Sequence, residues 1–271
     1  MQDLTIVIPV RNDPLLARAV KSTPADAEVI IAMTAPPPGA IEAATQLGQG
    51  RNLKVVVTKT AGMAAGVNLG ARAASHQKIV ILDSDCYLLP NAVAAYSKAL
   101  DKHPFVRGIT IVERDSFWSR VAALGTERLN RVFQANPRFF GPSIAFLKSD
   151  FLDLGGYDER MLKGSCDHEF ALQLEKANIP IHFSCDAGVV HQPLSFRIDT
   201  RSHIGYGHGM CYIDRKFGGW YGLLYCLKRL APRELITRAI ERGAMSVLRS
   251  VLLGSLMLWG YLRELTSAPK A

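Results

Sequence analysis

The stretch Ile79-Val80-Ile81-Leu82-Asp83-Ser84-Asp85-Cys86 decides how this chain is read. Four apolar residues, three of them β-branched, run directly into two carboxylates two positions apart. A short continuous apolar run of this kind reads as a buried strand. In an open α/β sheet, ligands bind beyond the carboxyl ends of the strands. Asp83 and Asp85 therefore lie where a ligand would sit. Two carboxylates at a strand end suit a hard divalent cation carrying substrate phosphates. Asp and Ser are also ordinary turn formers, so the motif takes its weight from its surroundings.

On the amino-terminal side, β-rich runs at 4–10, 28–33 and 53–57 alternate with helical spacing at 14–21, 41–47 and 62–74. The strand at 79–82 follows, then a helix over 91–101. This alternation predicts an α/β fold with a mostly parallel central sheet flanked by helices. No G-x-G-x-x-G follows the first strand, which disfavours an ordinary dinucleotide site. Beyond residue 101 the pattern is less regular. Strands are predicted at 106–112, 143–147, 179–183 and 188–191, and helices at 117–133, 151–158 and 167–177. Gly205-Tyr206-Gly207-His208-Gly209, between Arg201 and Arg215-Lys216, reads as a glycine-rich loop or as a hinged lid whose basic flanks meet phosphates.

At 271 residues, with 48% hydrophobic and 21% charged residues, the chain is globular rather than disordered. Its net charge of +8 points to an anionic partner. Nucleic acid is disfavoured, because the basic residues gather in the tail without a recognition motif. The five cysteines are scattered with no C-x-x-C pair, against a disulfide framework or zinc ribbon and in favour of a reducing compartment. The N-terminus has no basic segment followed by an apolar one, so no signal peptide is expected. Residues 230–271 change character, with helical composition, an apolar segment at 250–262 and an excess of arginine. Too short for a confident span, that segment predicts a helical appendage lying on a membrane surface. The alternative is a hairpin packed on the domain or on a second copy of the chain. The division expected is 1–229 and 230–271.

Several motifs, in order, resemble family 2 glycosyltransferases of GT-A fold. Thr5-Ile-Val-Ile-Pro-Val-Arg-Asn12 is similar to the family's opening strand, and residues 62–73 to its G-x-x-x-A-x-N-x-G-x-x-x-A helix. Residues 79–85 match the strand with its Asp-x-Asp. Gly155-Gly156-Tyr157-Asp158-Glu159, then Cys166-Asp167-His168-Glu169-Phe170, resemble the G-G-F/Y-D-E and E-D-x-x-(F/L) pair, and Val190-His191 the closing histidine. The resemblance covers roughly residues 3–220.

What it implies is inverting, hexosyl-type transfer from a nucleotide diphosphate sugar to a hydroxyl of a glycan or lipid-linked acceptor. Cell-surface polysaccharide synthesis at the inner face of the cell membrane is the expected setting. Asp85 would hold Mn2+ or Mg2+, His191 would add a metal ligand or hydrogen-bond the diphosphate, and Asp167 would be the general base. Asp83 and Ser84 would contact the ribose or order its loop. Pro9, Arg11, Asn12, Lys59, Gly62 and Asn68 would neighbour the nucleotide sugar. Taken from the residues alone, His191 also suits a core position, Asp167 an N-cap, and residues 9–12 plain turn chemistry. Glu169, two positions along a helix from Asp167, faces away. The sequence departs from the family twice. Met33-Thr34-Ala35-Pro36 replaces the acidic nucleoside loop, so the nucleotide is left open. Cys166 replaces the acidic neighbour of the base. A sugar-phosphate nucleotidyltransferase is a weaker alternative, since Pro9-Val10-Arg11-Asn12 lacks the glycines of a triphosphate loop. A non-catalytic binding or scaffold subunit is the other.

Overall fold

The computed structural model describes residues 3–267. These residues divide into two compact units. The first runs to Ile111 and adds Leu129–Leu162 and Cys166–Gln192; the second takes Val112–Arg128, Lys163–Ser165 and the chain from Pro193.

The first unit is α/β. Strands β1 (Leu4–Val10), β2 (Glu28–Thr34), β3 (Leu53–Thr58) and β4 (Lys78–Leu82) alternate with helices α1 (Leu16–Ser22), α2 (Ala40–Gln46) and α3 (Met63–Ala73). Then come β5 (Cys86–Leu88), α4 (Ala92–Leu100), β6 (Phe105–Val112), α5 (Phe117–Ala135), β7 (Ser143–Leu147), α6 (Lys148–Asp153), α7 (Cys166–Lys176) and β8 (His182–His191). The sheet order is β3-β2-β1-β4-β7-β6-β8-β5. The expectation of a mostly parallel sheet holds for β1 to β4. Beyond β4 the observed ladders, β4–β7, β6–β7 and β5–β8, are antiparallel, so the sheet is mixed. Helices also separate β5, β6, β7 and β8 along the chain, so a helical connection permits a parallel neighbour without imposing one.

Every residue of β1 and β2 is buried, as strands covered on both faces must be. Alternation divides their side chains. Ile6, Ile8, Val10, Val29, Ile31, Val80 and Leu82 share a core with Leu16 and Val20 of α1 and Val93 and Tyr96 of α4. On the opposite face Gly70 of α3 lies directly on Val7, and Gly66 lies on Pro9 and Thr34. The glycine spacing that marks this helix is thus a close-approach surface. A second cluster joins Phe105, Phe139, Phe146, Phe151, Tyr157 and Phe170 edge to face or tilted.

The second unit is helical. It holds residues 117–128 of α5, with α8 (Phe196–Phe217), α9 (Tyr221–Lys228), α10 (Pro232–Arg242) and α11 (Ala244–Thr266). The glycine-rich stretch 205–209, read as a loop or lid, is the middle of α8. Gly207 lies against the backbone of Met257 and Tyr261, and Gly260 of α11 against Ile204. The glycines are therefore packing positions, not hinges. Arg215 does not await a phosphate: it donates to the carbonyls of Glu264, Leu265 and Ser267 at 2.8–3.2 Å and so caps α11. The appendage breaks at Gly243, which has φ +79°, into two helices. By length and composition alone, α11 is long and apolar enough to cross a membrane. Its face bearing Ser246, Ser250, Leu253, Met257 and Tyr261 is buried.

Candidate active site

Within the parallel part of the sheet, the chain runs from β1 outward to β2 and β3, then returns to place β4 on the other side of β1. The strand order reverses between β1 and β4, and ligands bind at such a switch point. Residues 11–13 and 83–85 follow these two strands. They are tied together, since Ser84 donates to Asp13 Oδ2 at 2.7 Å while Asp13 Oδ1 accepts from Leu15 N at 2.9 Å. Ser84 thus fixes the loop rather than offering its hydroxyl freely. Pro9 is buried in β1, and Arg11 and Asn12 are exposed beyond it. Arg11 Nε donates to the carbonyl of Ala35 at 3.3 Å. The guanidinium therefore reaches the segment that replaces the expected acidic loop.

Asp83 is half-buried. Desolvation, then the charges of Asp85 and Asp167, push its carboxyl up to about 7, with His191 opposing. Asp85, Asp167 and His191 thus each lie within electrostatic reach of Asp83.

Asp85 and His191 meet directly, Oδ2 to Nε2 at 3.4 Å. His191 Nδ1 lies 2.8 Å from the carbonyl of Gln192. A carbonyl only accepts, so Nδ1 carries a proton and Nε2 is the ring nitrogen that faces Asp85. Gln192 closes the arrangement: its N–H donates to the Asp85 carbonyl at 3.0 Å and its amide to Asp85 Oδ2 at 3.3 Å. The cause is the short ladder between β5 and β8, which sets Cys86 opposite His191. Cys86 is buried, and its Sγ lies 3.6 Å from Asp85 Oδ1. Burial and the nearby carboxylates of Asp83 and Asp85 push this thiol well above its ordinary range. The donor atoms of Asp85, Cys86 and His191 all lie within 4.8 Å of one another. This oxygen, nitrogen and sulfur set fits one divalent cation.

Asp167 lies in the first turn of α7. Its Oδ2 accepts from Gly141 N at 2.8 Å and its Oδ1 from His168 N at 2.9 Å. Each oxygen keeps a further lone pair. Glu169, by contrast, is fully buried and holds Gln173 at 2.9 and 3.1 Å.

Two expected neighbours have other duties. Asn68 is buried, and its amide accepts from Tyr157 N at 2.9 Å and donates to the Tyr157 carbonyl at 2.8 Å and Glu159 at 3.0 Å. It clamps the Gly156–Glu159 turn. Gly62 begins α3 with φ +106°, packed beside Leu162. Lys59 stands exposed just beyond β3.

Sequence reading missed Gly141, Gln192, Cys86 and Arg107. Arg107, on β6, is 3% exposed. Its guanidinium lies 4.3 Å over the Phe133 ring and against Gly141, while Nε and Nη1 have no hydrogen-bond partner. Burial pulls it down to about 10, against the opposing charges of Tyr96 and Asp167. An Arg inside an apolar strand run was the visible signal for this residue. The Gly141 amide carries none, since backbone donors leave no mark in a sequence.

The sequence model of the family described as "Glycosyl transferase family 2" matches residues 5–155. No curated protein matches the chain. Solved structures do. The mannosyltransferase PcManGT from Pyrobaculum calidifontis, in complex with GDP-Man and Mn2+, aligns at TM-score 0.69 and 17% identity over 97% of this chain and 87% of its own. TarS 1–349 of S. aureus, in complex with UDP-GlcNAc, aligns at TM-score 0.54 and 13% identity over 97% and 88%. GalNAc-T7 with UDP, GalNAc and Mn2+ aligns at TM-score 0.54 and 18% identity over 76% and 47%.

Proposed function

This chain belongs to glycosyl transferase family 2 and has the GT-A fold, and from that premise we propose a metal-dependent inverting transfer of a sugar from a nucleotide diphosphate sugar to a hydroxyl of a glycan or glycolipid. The observation that carries the reading is the meeting of Asp85 and His191, 3.4 Å apart, just beyond β4, with Asp83 two positions before Asp85. Asp85 and His191 are the residues that would hold Mn2+ or Mg2+, which supplies neutralisation of the departing diphosphate. Asp167 accepts the acceptor's hydroxyl proton. The acceptor oxygen then bonds to the anomeric carbon, and the carbon–oxygen bond to the diphosphate breaks with its electron pair leaving on the diphosphate. The Gly141 and His168 amides hold the base in place for this step. Asp83 and Arg11 face the nucleoside side.

Thermal-shift measurements with UDP-, GDP-, dTDP- and CDP-sugars, each with Mn2+ or Mg2+, test the reading. Stabilisation follows ligand concentration over the dissociation constant. One nucleotide is expected to respond, and only with metal. Asp85→Ala abolishes that response. Asp167→Asn keeps it but loses transfer, and full turnover in that variant would remove Asp167 as base. Silence toward every nucleotide would instead favour a non-catalytic subunit.

The C-terminal segment supports a peripheral membrane setting at the cytoplasmic face, suited to a lipid-linked acceptor and polysaccharide synthesis. Ile236 and Ile240, one turn apart on α10, are 60% and 81% exposed, and Leu248 and Trp259 of α11 are also exposed. Apolar side chains beside arginines fit an anionic bilayer surface.

A further inference from the structure

We propose that the sulfur of Cys86 is a third donor to the divalent-cation site of Asp85 and His191, giving that site a preference for thiophilic ions over Mg2+. This rests on the metal-site reading above and goes beyond it, because the expected pair is a carboxylate and an imidazole alone.

Three observations carry it. First, residues directly opposite in an antiparallel ladder project to the same face, and Cys86 is the register partner of His191. Second, the spacing suits one ion. Donors about 2.0–2.3 Å from a tetrahedral ion stand roughly 3.3–3.8 Å from one another. Asp85 stands in that range from both neighbours through its two oxygens, Oδ2 to His191 Nε2 at 3.4 Å and Oδ1 to Cys86 Sγ at 3.6 Å, and one donor atom from each of the three residues lies within 4.8 Å of the others. Third, the imidazole is already oriented, since the Gln192 carbonyl engages Nδ1 and leaves Nε2 toward the cluster.

A buried cysteine also serves as a small apolar core residue, and Cys86 touches the core below the sheet end. Its thiol, however, lies against a carboxylate, which is poor company for a purely apolar role. A coordinating thiol gives up its proton to solvent when the ion binds. Soft sulfur ligands favour Zn2+, Cd2+ and Co2+, whereas Mg2+ prefers oxygen and retains water. With three protein donors, a fourth position stays open for a diphosphate oxygen.

Cobalt titration of the 271-residue chain tests this without any transfer assay. Wild-type protein is expected to show a sulfur-to-cobalt charge-transfer band in the near ultraviolet. Cys86→Ser and Cys86→Ala, checked for unchanged thermal midpoints, should bind Co2+ without the band. Their Cd2+ affinity should fall about tenfold or more, the usual range for loss of one group supporting a site, while Mg2+ affinity stays within about threefold. Two variants guard against one failing to fold. Co2+ bound at Asp85 and His191 with no sulfur band in wild type overturns the proposal, as does a band that persists in Cys86→Ala. If wild type binds no Co2+, or Asp85→Ala binds it as well as wild type, the metal-site reading falls, and the sulfur assignment falls with it.

Discussion

Glu28 shows what one buried carboxylate does in this fold. It sits at the start of β2, 8% exposed, and accepts from Thr5 Oγ1, Ser75 N (2.9 Å) and Ser75 Oγ (2.7 Å). Desolvation raises its carboxyl, but these bonds and His76 outweigh it and hold it below the ordinary value of 4.5. A depressed carboxyl contributes stability above the unfolded value, lost as pH falls through the folded one. Glu28→Gln should therefore cost about 1–3 kcal/mol at pH 7. The difference from wild type should shrink in denaturant titrations below about pH 4.5. A constant difference down to pH 3 would mean the loss is packing rather than charge. Arg107 is the opposite case, a buried cation without a hydrogen-bonded counter-ion on Nε or Nη1. A buried ion that no hydrogen-bonded counter-ion offsets carries a desolvation cost on the order of several kcal/mol. Arg107→Met is expected to keep or raise the thermal midpoint. A midpoint that drops would mean the cation–π contact with Phe133 outweighs desolvation.

At the scale of elements, two helices rest on glycine for the same reason. Gly70 of α3 lies on the Val7 side chain, and Gly207 of α8 lies on the backbone of α11. The neighbour differs in how far it can yield. A valine side chain can shift slightly, whereas a helix backbone cannot move without the whole helix. Overpacking typically costs about 1–3 kcal/mol. Gly70→Ala should fall in that range, and Gly207→Ala at its upper end or beyond, read by thermal unfolding and by proteolysis of the C-terminal helices. Equal, small effects would show that α11 gives way easily. The polar contacts that accompany the α8–α11 crossing, Asp199 with Arg249 at 2.6 Å and Tyr261 OH to Asp214 at 2.9 Å, argue for the larger cost.

For the whole molecule, the basic excess and the exposed apolar residues gather in the C-terminal helices. Removing them outright would uncover the α8 face that α11 covers, so point changes are the cleaner probe. Ile236→Asp with Ile240→Asp introduces two negative charges on an exposed helix face. It should lower sedimentation with vesicles of anionic lipid and leave the free energy of unfolding within about 0.5 kcal/mol, as for surface changes generally. An unchanged partition would point to association between copies of the chain instead.

The sequence by itself determined the alternating β1–β4 unit, because its strands are largely apolar, β-branched runs and its helices periodic ones, and both signals are local. It also determined that carboxylates follow β4 and that Asp167 opens α7, since position along an element is local too. Tertiary structure alone decided the rest. β5, three residues long, carries no pattern of its own and exists through its ladder with β8, which joins Asp85, Cys86 and His191 across more than a hundred residues. Glycine spacing at 205–209 reads as a loop locally, yet a close helix neighbour needs the same residues for the opposite reason. Asn68 and Gly141 took their duties from partners about ninety and twenty-six positions away. Side-chain type fixes what a residue can bond to; only the folded chain fixes what lies within reach.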